Sequence, residues 1–461
     1  MTASTDRRGA ALAVLCAMAL MIVLDSTIVA VAIPDIQRDL GFSEAGVAWV
    51  VNGYLISFAG LLLLSGRLGD LIGAWRVFLA GLVVFTLAST LCGFAPTAGL
   101  LVAGRFLQGA GGALAGAVVI GMIVRLYPTP GAQARAMGIY SFVQAGGAAA
   151  GFVLGGILTE AAGWTWIFLI NVPVGVLVAI FALRTLPREP APGLGRGLDV
   201  AGAALITAGL SAGVYAIVQT TWPLGLVAVL LIAAFVLRQS RATEPLIPLR
   251  LLARPWLLLV NATVVLVFAT GMGFQFLNAL YVQRVMGFDA LGTGLAFLPT
   301  PIVIGLVSLF VAPRVTARFG PRPVLAAGLT LLLGGLLLLG QTPSAYATGM
   351  LPALIVMGLG VGITVPPIIM LAMAFTASSD TGLVSGLTNT AQQAGGALGL
   401  AVLAATAAAV SGPNPTVDAL RTGYGVAFHV DAAFVLGALL LTLLALPSAH
   451  PDEVSNYLLN A

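Results

Sequence analysis

Two ionisable side chains stand where the sequence offers them no water. Asp25 lies in "LDSTIVAVAIP", residues 24–34, inside an apolar run that begins near Gly9. Arg105 lies in a second apolar run that begins at Gly99. An ionised group at the centre of a membrane helix costs about 2.5–3.5 kcal/mol on insertion scales, and such residues mark proton, ion or substrate pathways. At 1.5 Å per residue, Asp25 sits roughly 12 Å from the end of its run near Ile33, and Arg105 roughly 9 Å from the start of its own. Comparable depth makes the two candidate partners. Burial favours the neutral form of a carboxyl group and a nearby guanidinium the charged form. A cavity that opened to one side and then the other would change both effects and could carry a proton across. A fixed pair that only locks two helices uses the same two residues, and both readings stand at this point.

The elements that position these residues follow from composition. Of 461 residues, 59% are hydrophobic and 8% are charged, against about 25% charged in an average soluble domain. The bilayer is therefore the solvent for most of the chain. A spanning helix needs about 20 mostly apolar residues. The expected spans are 11–33, 46–65, 77–95, 99–124, 136–158, 165–183, 200–219, 223–238, 257–282, 291–312, 324–340, 347–374, 382–410 and 427–446. With both termini cytoplasmic, sixteen arginines fall in inner segments, including Arg67, Arg125, Arg196 and Arg322, and only Arg38, Arg284 and Arg421 fall outside. That is the positive-inside pattern. An error of one span would swap the sides of every later loop and destroy it.

Several chemistries find no residues. All 20 basic residues are arginine, so the lysine of a phosphate-binding P-loop is missing and energy for work on a solute must come from a gradient or a partner. Cys16 and Cys92 lie in apolar runs without metal-ligand or redox spacing. His429 and His450 are distant from each other and no HExxH is present, so no enzyme, metal or cofactor site is expected. Arginines spread over short loops do not form a nucleic-acid footprint. The first apolar run is too long for a signal-peptide core and lacks a small-residue cleavage site, so an uncleaved first span is expected.

The chain also echoes itself. "QAGGA" occurs at Gln144–Ala148 and at Gln393–Ala397, and "GRLGDLIGAWRV" (66–77) matches "PRVTARFGPRPV" (313–324) with Arg67 on Arg314 and Gly73 on Gly320. Nearly equal offsets point to parallel repeats, spans 1–6 and 9–14, with two helices inserted between them. The expected domains are 1–183, a six-helix bundle; 184–255, a Pro/Gly-rich linker with two inserted helices; and 256–461, a second six-helix bundle. Transporters are commonly built from such repeats.

These residues resemble the major facilitator superfamily and, within it, the fourteen-helix drug/proton antiporters. "LDSTIVAVAIP" resembles that group's first-span signature, and "GRLGDLIGAWRV" the loop between spans two and three. "RFLQGAGGA" (105–113) resembles the fourth-span arginine motif, and "GIYSFVQAGGAAAGFVLGG" (138–156) the fifth-span antiporter motif, with Phe152 where the motif has proline. The resemblance implies an all-α major facilitator fold of fourteen transmembrane helices. It implies proton coupling through Asp25 and Arg105, and a conformational role for Gly66, Asp70, Gly73 and Arg76. Gly147, Gly151, Gly155 and Gly156 carry the antiporter-motif helix, where small residues let helices approach closely. Asn52, Gln108, Gln144, Gln275, Asn278, Asn389 and Gln393 are polar residues within spans, suited to line a substrate cavity or to bond helices together. His429 and Asp431, at the start of the last expected span, are a candidate second titrating site.

The expected function is export of small amphipathic compounds, drugs or toxic metabolites, in exchange for protons, by a monomer in a bacterial inner membrane. The alternative is a proton-coupled transporter of an ordinary metabolite on the same fold.

Overall fold

The computed structural model describes residues 2–188, 199–242, 245–247, 249–252, 254–373, 381–412, 415–444 and 446. Arg196, His450 and most of the expected linker lie outside the described residues. Fourteen helices among the described residues are long and apolar enough to cross a membrane. They are α1 Arg8–Leu40, α2 Gly46–Ile72, α3 Ala74–Gly93, α4 Ala98–Leu126, α5 Arg135–Ala162, α6 Thr165–Thr185 and α7 Val200–Val218. The remainder are α8 Trp222–Arg241, α9 Pro255–Arg284, α10 Ala290–Phe319, α11 Pro321–Gly340, α12 Tyr346–Ala372, α13 Leu383–Ser411 and α14 Val417–Leu444. No strand occurs among the described residues.

Several spans run further than hydropathy predicts, α2 to Ile72 and α10 to Phe319 among them, and two of these extensions move candidate site residues deeper. The last was expected at 427–446, but α14 starts at Val417. Its first turns hold Asp418, Arg421 and Thr422, which fail an apolar count yet suit a helix start. The Thr416 hydroxyl oxygen accepts the Ala419 N–H at 3.3 Å, a side-chain N-cap, and Asp418 complements the helix dipole. Asp431 therefore lies fourteen residues inside its helix and not at the rim. The first helix likewise continues past Ile33 to Leu40, through Asp35, Arg38 and Asp39. Asp25 is then roughly 22 Å from that end, deeper than the 12 Å the apolar run suggests.

The helices cluster into two compact units: Met1–Gly213 with Leu224–Leu246 and Asp289–Leu295, and Val214–Pro223 with Ile247–Phe288 and Ala296–Ala461. Most of α7 and α8 thus groups with the first unit. In that unit α1 packs on α4, α5 and α6, α3 on α4 and α6, and α2 on α4. In the second, α9 packs on α12, α13 and α14, α11 on α12 and α14, and α10 on α12. The second set of pairings is the first moved on by eight helices.

Backbone conformation carries the same repeat. The described glycines with positive φ are Gly41, Gly73, Gly163, Gly287, Gly320 and Gly412. They form three pairs, 41 with 287, 73 with 320 and 163 with 412, separated by 246, 247 and 249 residues. Gly73 and Gly320 have φ of 96° and 82°, a region an L side chain occupies only under strain. Each pair ends or joins equivalent helices, so the sequence echo reports a repeated fold.

The inserted pair is held at its base. Asp199 caps α7 by accepting the Gly202 N–H at 2.9 Å, accepts from Gln239 Nε2 at 2.7 Å, and is ion-paired to Arg238 Nε of α8. Burial by itself would push its carboxyl up. The bonds from Arg238, Gly202 and Gln239, with the Arg238 charge, outweigh that and hold it below the usual carboxylate range.

Candidate functional site

The polar centre of the first unit is built from five helices around Asp25 and Arg105. Arg105, on α4, donates from Nη1 to Asp25 Oδ2 of α1 at 2.5 Å and from Nε to the Val50 carbonyl of α2 at 2.7 Å. The same Nη1 donates to Gln108 Oε1 at 2.7 Å. Gln108, one turn on, donates from Nε2 to Asp25 Oδ1 at 2.7 Å and to Ser89 Oγ of α3 at 3.2 Å. Ser89 accepts also from Asn171 Nδ2 of α6 at 3.0 Å and donates to the Phe168 carbonyl at 2.8 Å. The guanidinium carbon lies 4.6 Å from the centre of the Tyr54 ring. The side chains of Arg105 and Asp25 are 1% and 0% exposed.

Local sequence explains why these side chains meet. Arg105 and Gln108 are three residues apart on one helix, so they share a face. Gly109 and Gly112 of the same helix let it approach α2 closely: a Cβ at Gly109 would stand 2.3 Å from the Tyr54 carbonyl oxygen. That approach brings Val50 and Tyr54 within reach of Arg105. A buried ion pair is tolerable only when its remaining donors and acceptors are satisfied, and here both Asp25 oxygens accept from N–H donors.

The wiring selects one protonation state. A carboxylate only accepts, whereas a protonated carboxyl must also donate. With Gln108 Nε2 on one oxygen and Arg105 Nη1 on the other, a proton on Asp25 would face a donor from either side. Turning the Gln108 amide over would relieve Asp25 but would set its NH2 against Arg105. The arrangement fits the hydrogen-bond pattern of a carboxylate.

The glycine face of α5 lies against the stretch of α1 that carries Asp25. A Cβ at Gly147 would stand 2.6 Å from Leu20 Cδ1, one at Gly151 1.9 Å from Thr27 Oγ1, and one at Gly155 2.9 Å from the Ile28 carbonyl oxygen. Gly156 faces Ala290 and Leu291, which cluster with the same unit. In the loop motif, Gly73 makes the positive-φ turn and Gly66 has open space around it. Asp70 pairs with Arg125 of α4 at 3.9 Å, while Arg76 donates to the Ile72 carbonyl at 3.3 Å. Asp70 and Arg125 are both well exposed, so their pair contributes little to stability. Trp75 stacks under Arg188, 5.0 Å from its guanidinium carbon.

The polar residues within spans divide by burial. Gln108 is fully enclosed in the network. Asn52 and Asn278 are 0% exposed, and no side-chain atom of either has a hydrogen-bond partner. Gln144, Gln275, Asn389 and Gln393 are half-buried. His429 and Asp431 face different sides of α14. His429 is exposed, and Asp431, two residues on and about 200° round the helix, is fully buried. Sequence reasoning did not single out Ser89 or Asn171. Asn171 carried a signal, a polar amide within an apolar span; a serine in such a span carries almost none. Among the described residues no His, Cys, Asp or Glu cluster could hold a metal ion.

Comparison with known proteins agrees with this architecture. Residues 15–400 match the Major Facilitator Superfamily. The chain is 38% identical to the puromycin resistance protein pur8 of Streptomyces alboniger, over 95% of this chain and 90% of that one. It is 37% identical to the cephamycin export protein CmcT of Amycolatopsis lactamdurans, over 98% and 96%. It is 34% identical to the tetracenomycin C resistance and export protein of Streptomyces glaucescens, over 83% and 73%. Among solved structures, a bacterial homologue of the human lysosomal transporter Spinster superposes with a TM-score of 0.69 at 16% identity, over 98% of each chain. A mutant form of the nucleoside transporter NupG gives 0.69 at 10% identity, over 94% of this chain and 99% of that one. At such identities these two likenesses speak for the fold alone. The relatives and the fourteen-helix fold together make the chain a member of the Major Facilitator Superfamily, of its multidrug-efflux type.

Proposed function

We propose that the protein exports small amphipathic compounds, antibiotics or toxic metabolites, in exchange for protons, with Asp25 as the proton-carrying group and Arg105 as its controller. The supporting observation is the closed set of donors around Asp25. Both carboxylate oxygens are engaged by donors from one helix, so taking up a proton must displace α4 side chains that also hold α2 and α3. Proton binding is thereby tied to helix packing, which is what coupling to an alternating-access cycle needs. Asp25 is sealed in this conformation, so loading belongs to the state in which the network opens. The loop residues Gly66, Asp70, Gly73 and Arg76, with Arg125, act on the conformational equilibrium. The half-buried polar residues are Gln144 in the first unit and Gln275, Asn389 and Gln393 in the second, and each is a candidate for polar contact with the compound within its own unit. The setting is a bacterial inner membrane with both termini cytoplasmic, in line with the arginine distribution, and the working unit is a monomer. The relatives named for puromycin, cephamycin and tetracenomycin resistance or export support the substrate class.

The test is Asp25→Asn in everted vesicles and in a pump-deficient host challenged with a panel of antibiotics and dyes. Loss of pH-driven accumulation with downhill exchange retained is the expected result. Undiminished pH-driven transport by the variant would overturn the assignment.

A further inference from the structure

We propose that Asp431 is a second proton-binding group, in the second unit, and that it holds its proton in the conformation described here. Asp431 lies near the middle of α14, fourteen residues from Val417 and thirteen from Leu444, so roughly 20 Å from either end. It is 0% exposed, and neither carboxyl oxygen has a hydrogen-bond partner. Burying an unpaired amide or hydroxyl is already unfavourable, and burying an isolated ion is far more so. Asp25 answers that penalty with donors on both oxygens. Asp431 has none.

Among the described residues no countercharge stands nearby on a helix packed against α14. On α9, Thr270 faces Asp431. The ionisable groups of that helix are Tyr281 and Arg284, eleven and fourteen residues beyond Thr270, and the Tyr281 hydroxyl donates to the Pro343 carbonyl at 3.0 Å. On α11 the single ionisable residue is Arg322, which donates to the Thr442 and Leu443 carbonyls at 3.1 and 2.5 Å, over ten residues beyond Asp431. Leu383–Ser411 of α13 contains no ionisable side chain. On α14 itself Asp418, Arg421 and Tyr424 lie at least seven residues away. His429 is exposed on the other side of the helix, bonded to the Gly425 carbonyl at 2.7 Å.

The polar neighbour Thr270 is neutral and supplies no charge to offset an anion. The Thr270 hydroxyl spends its hydrogen on the Leu266 carbonyl at 3.3 Å. That hydroxyl can also turn to donate to or accept from the carboxyl, so what favours the proton is the missing hydrogen-bond partners and the missing countercharge. The repeat adds a second line. At the 246-residue offset of the first helix pair, Asp25 of α1 falls on Gly271 of α9, and Thr270 is its neighbour. At the 249-residue offset, Asp431 falls on Ala182. The second unit therefore lacks an acid on its first helix and receives one, from its last helix, at the corresponding level.

Proton occupancy of Asp431 is independent of the export reading; only its use in transport rests on that reading. The test is infrared spectroscopy of the full chain in lipid nanodiscs at pH 8, where exposed carboxyls are ionised. Wild type and Asp25→Asn are expected to show the carbonyl band of one protonated carboxylic acid. Asp431→Asn is expected to lose it, and Asp431→Glu, the safeguard should the Asn variant not fold, to keep a displaced one. A band unchanged in both Asp431 variants, or no such band in wild type, overturns the proposal. If the band behaves as expected while Asp25→Asn still transports with the pH gradient, the Asp25 assignment falls and this one stands.

Discussion

Replacing Arg105 by Met keeps side-chain bulk on α4 and removes the charge. Asp25, 0% exposed, is then left with one neutral donor, Gln108 Nε2 at 2.7 Å. Breaking a buried ion pair from one side costs about 3–5 kcal/mol, because the surviving charge is stranded. Losing the bond to the Val50 carbonyl adds about 1 kcal/mol. Arg105→Met alone is therefore expected to cost roughly 4–6 kcal/mol. Adding Asp25→Asn removes the stranded charge and should recover about 2–3 kcal/mol, a coupling in the range seen for side chains in one network. Unfolding can be followed with a thiol-reactive fluorophore, since Cys16 and Cys92 are both buried and free and Cys92 Sγ lies 3.8 Å from Gln108 Oε1 within the network. Two single effects that simply add, to within about 0.5 kcal/mol, would show that the residues are energetically independent. Asp25 and Arg105 would then not act as one buried network.

Two further outcomes are expected. Gly155→Ala places a Cβ 2.9 Å from the Ile28 carbonyl oxygen and 3.2 Å from its Cα, backbone atoms that cannot swing aside, whereas Gly146 has nothing within 4 Å. The first should cost about 1–3 kcal/mol and depress transport, and Gly146→Ala should do neither; equal melting temperatures for the two variants would contradict the α1–α5 packing. Asp199 has a lowered folded-state pKa, so its stabilising effect is present above the ordinary aspartate value of 3.8 and is lost as pH falls through the folded value. Asp199→Ala should therefore melt lower than wild type at pH 7, with the gap narrowing as pH falls below 3.8; a gap that does not narrow in acid would exclude the ion pair as its source.

Residue type and spacing alone determined the number and order of the helices, the repeat and the two intramembrane charges. The reason is physical: in a bilayer every backbone group must be bonded within its own segment, so a run of apolar residues long enough to cross becomes a helix whatever its neighbours do. A positive-φ glycine at the same place in each repeat is equally local. Where hydropathy failed, at 417–426 and beyond Ile33, the helix continued on capping and charge that an apolar count ignores.

Partner choice was decided only by tertiary structure. Asp70 meets Arg125 and not Arg76. Gln108 closes on Asp25 and Ser89, Asn171 completes the chain of bonds, and Asp431 parts from His429 to face Thr270. Each of these depends on how far one helix is rotated against another many residues away. Helices apolar on nearly every side carry little periodicity to set that rotation. It is set by glycines that allow close approach at Gly109, Gly151 and Gly155, and by the hydrogen bonds that Asp25, Arg105, Gln108, Ser89 and Asn171 make across helices.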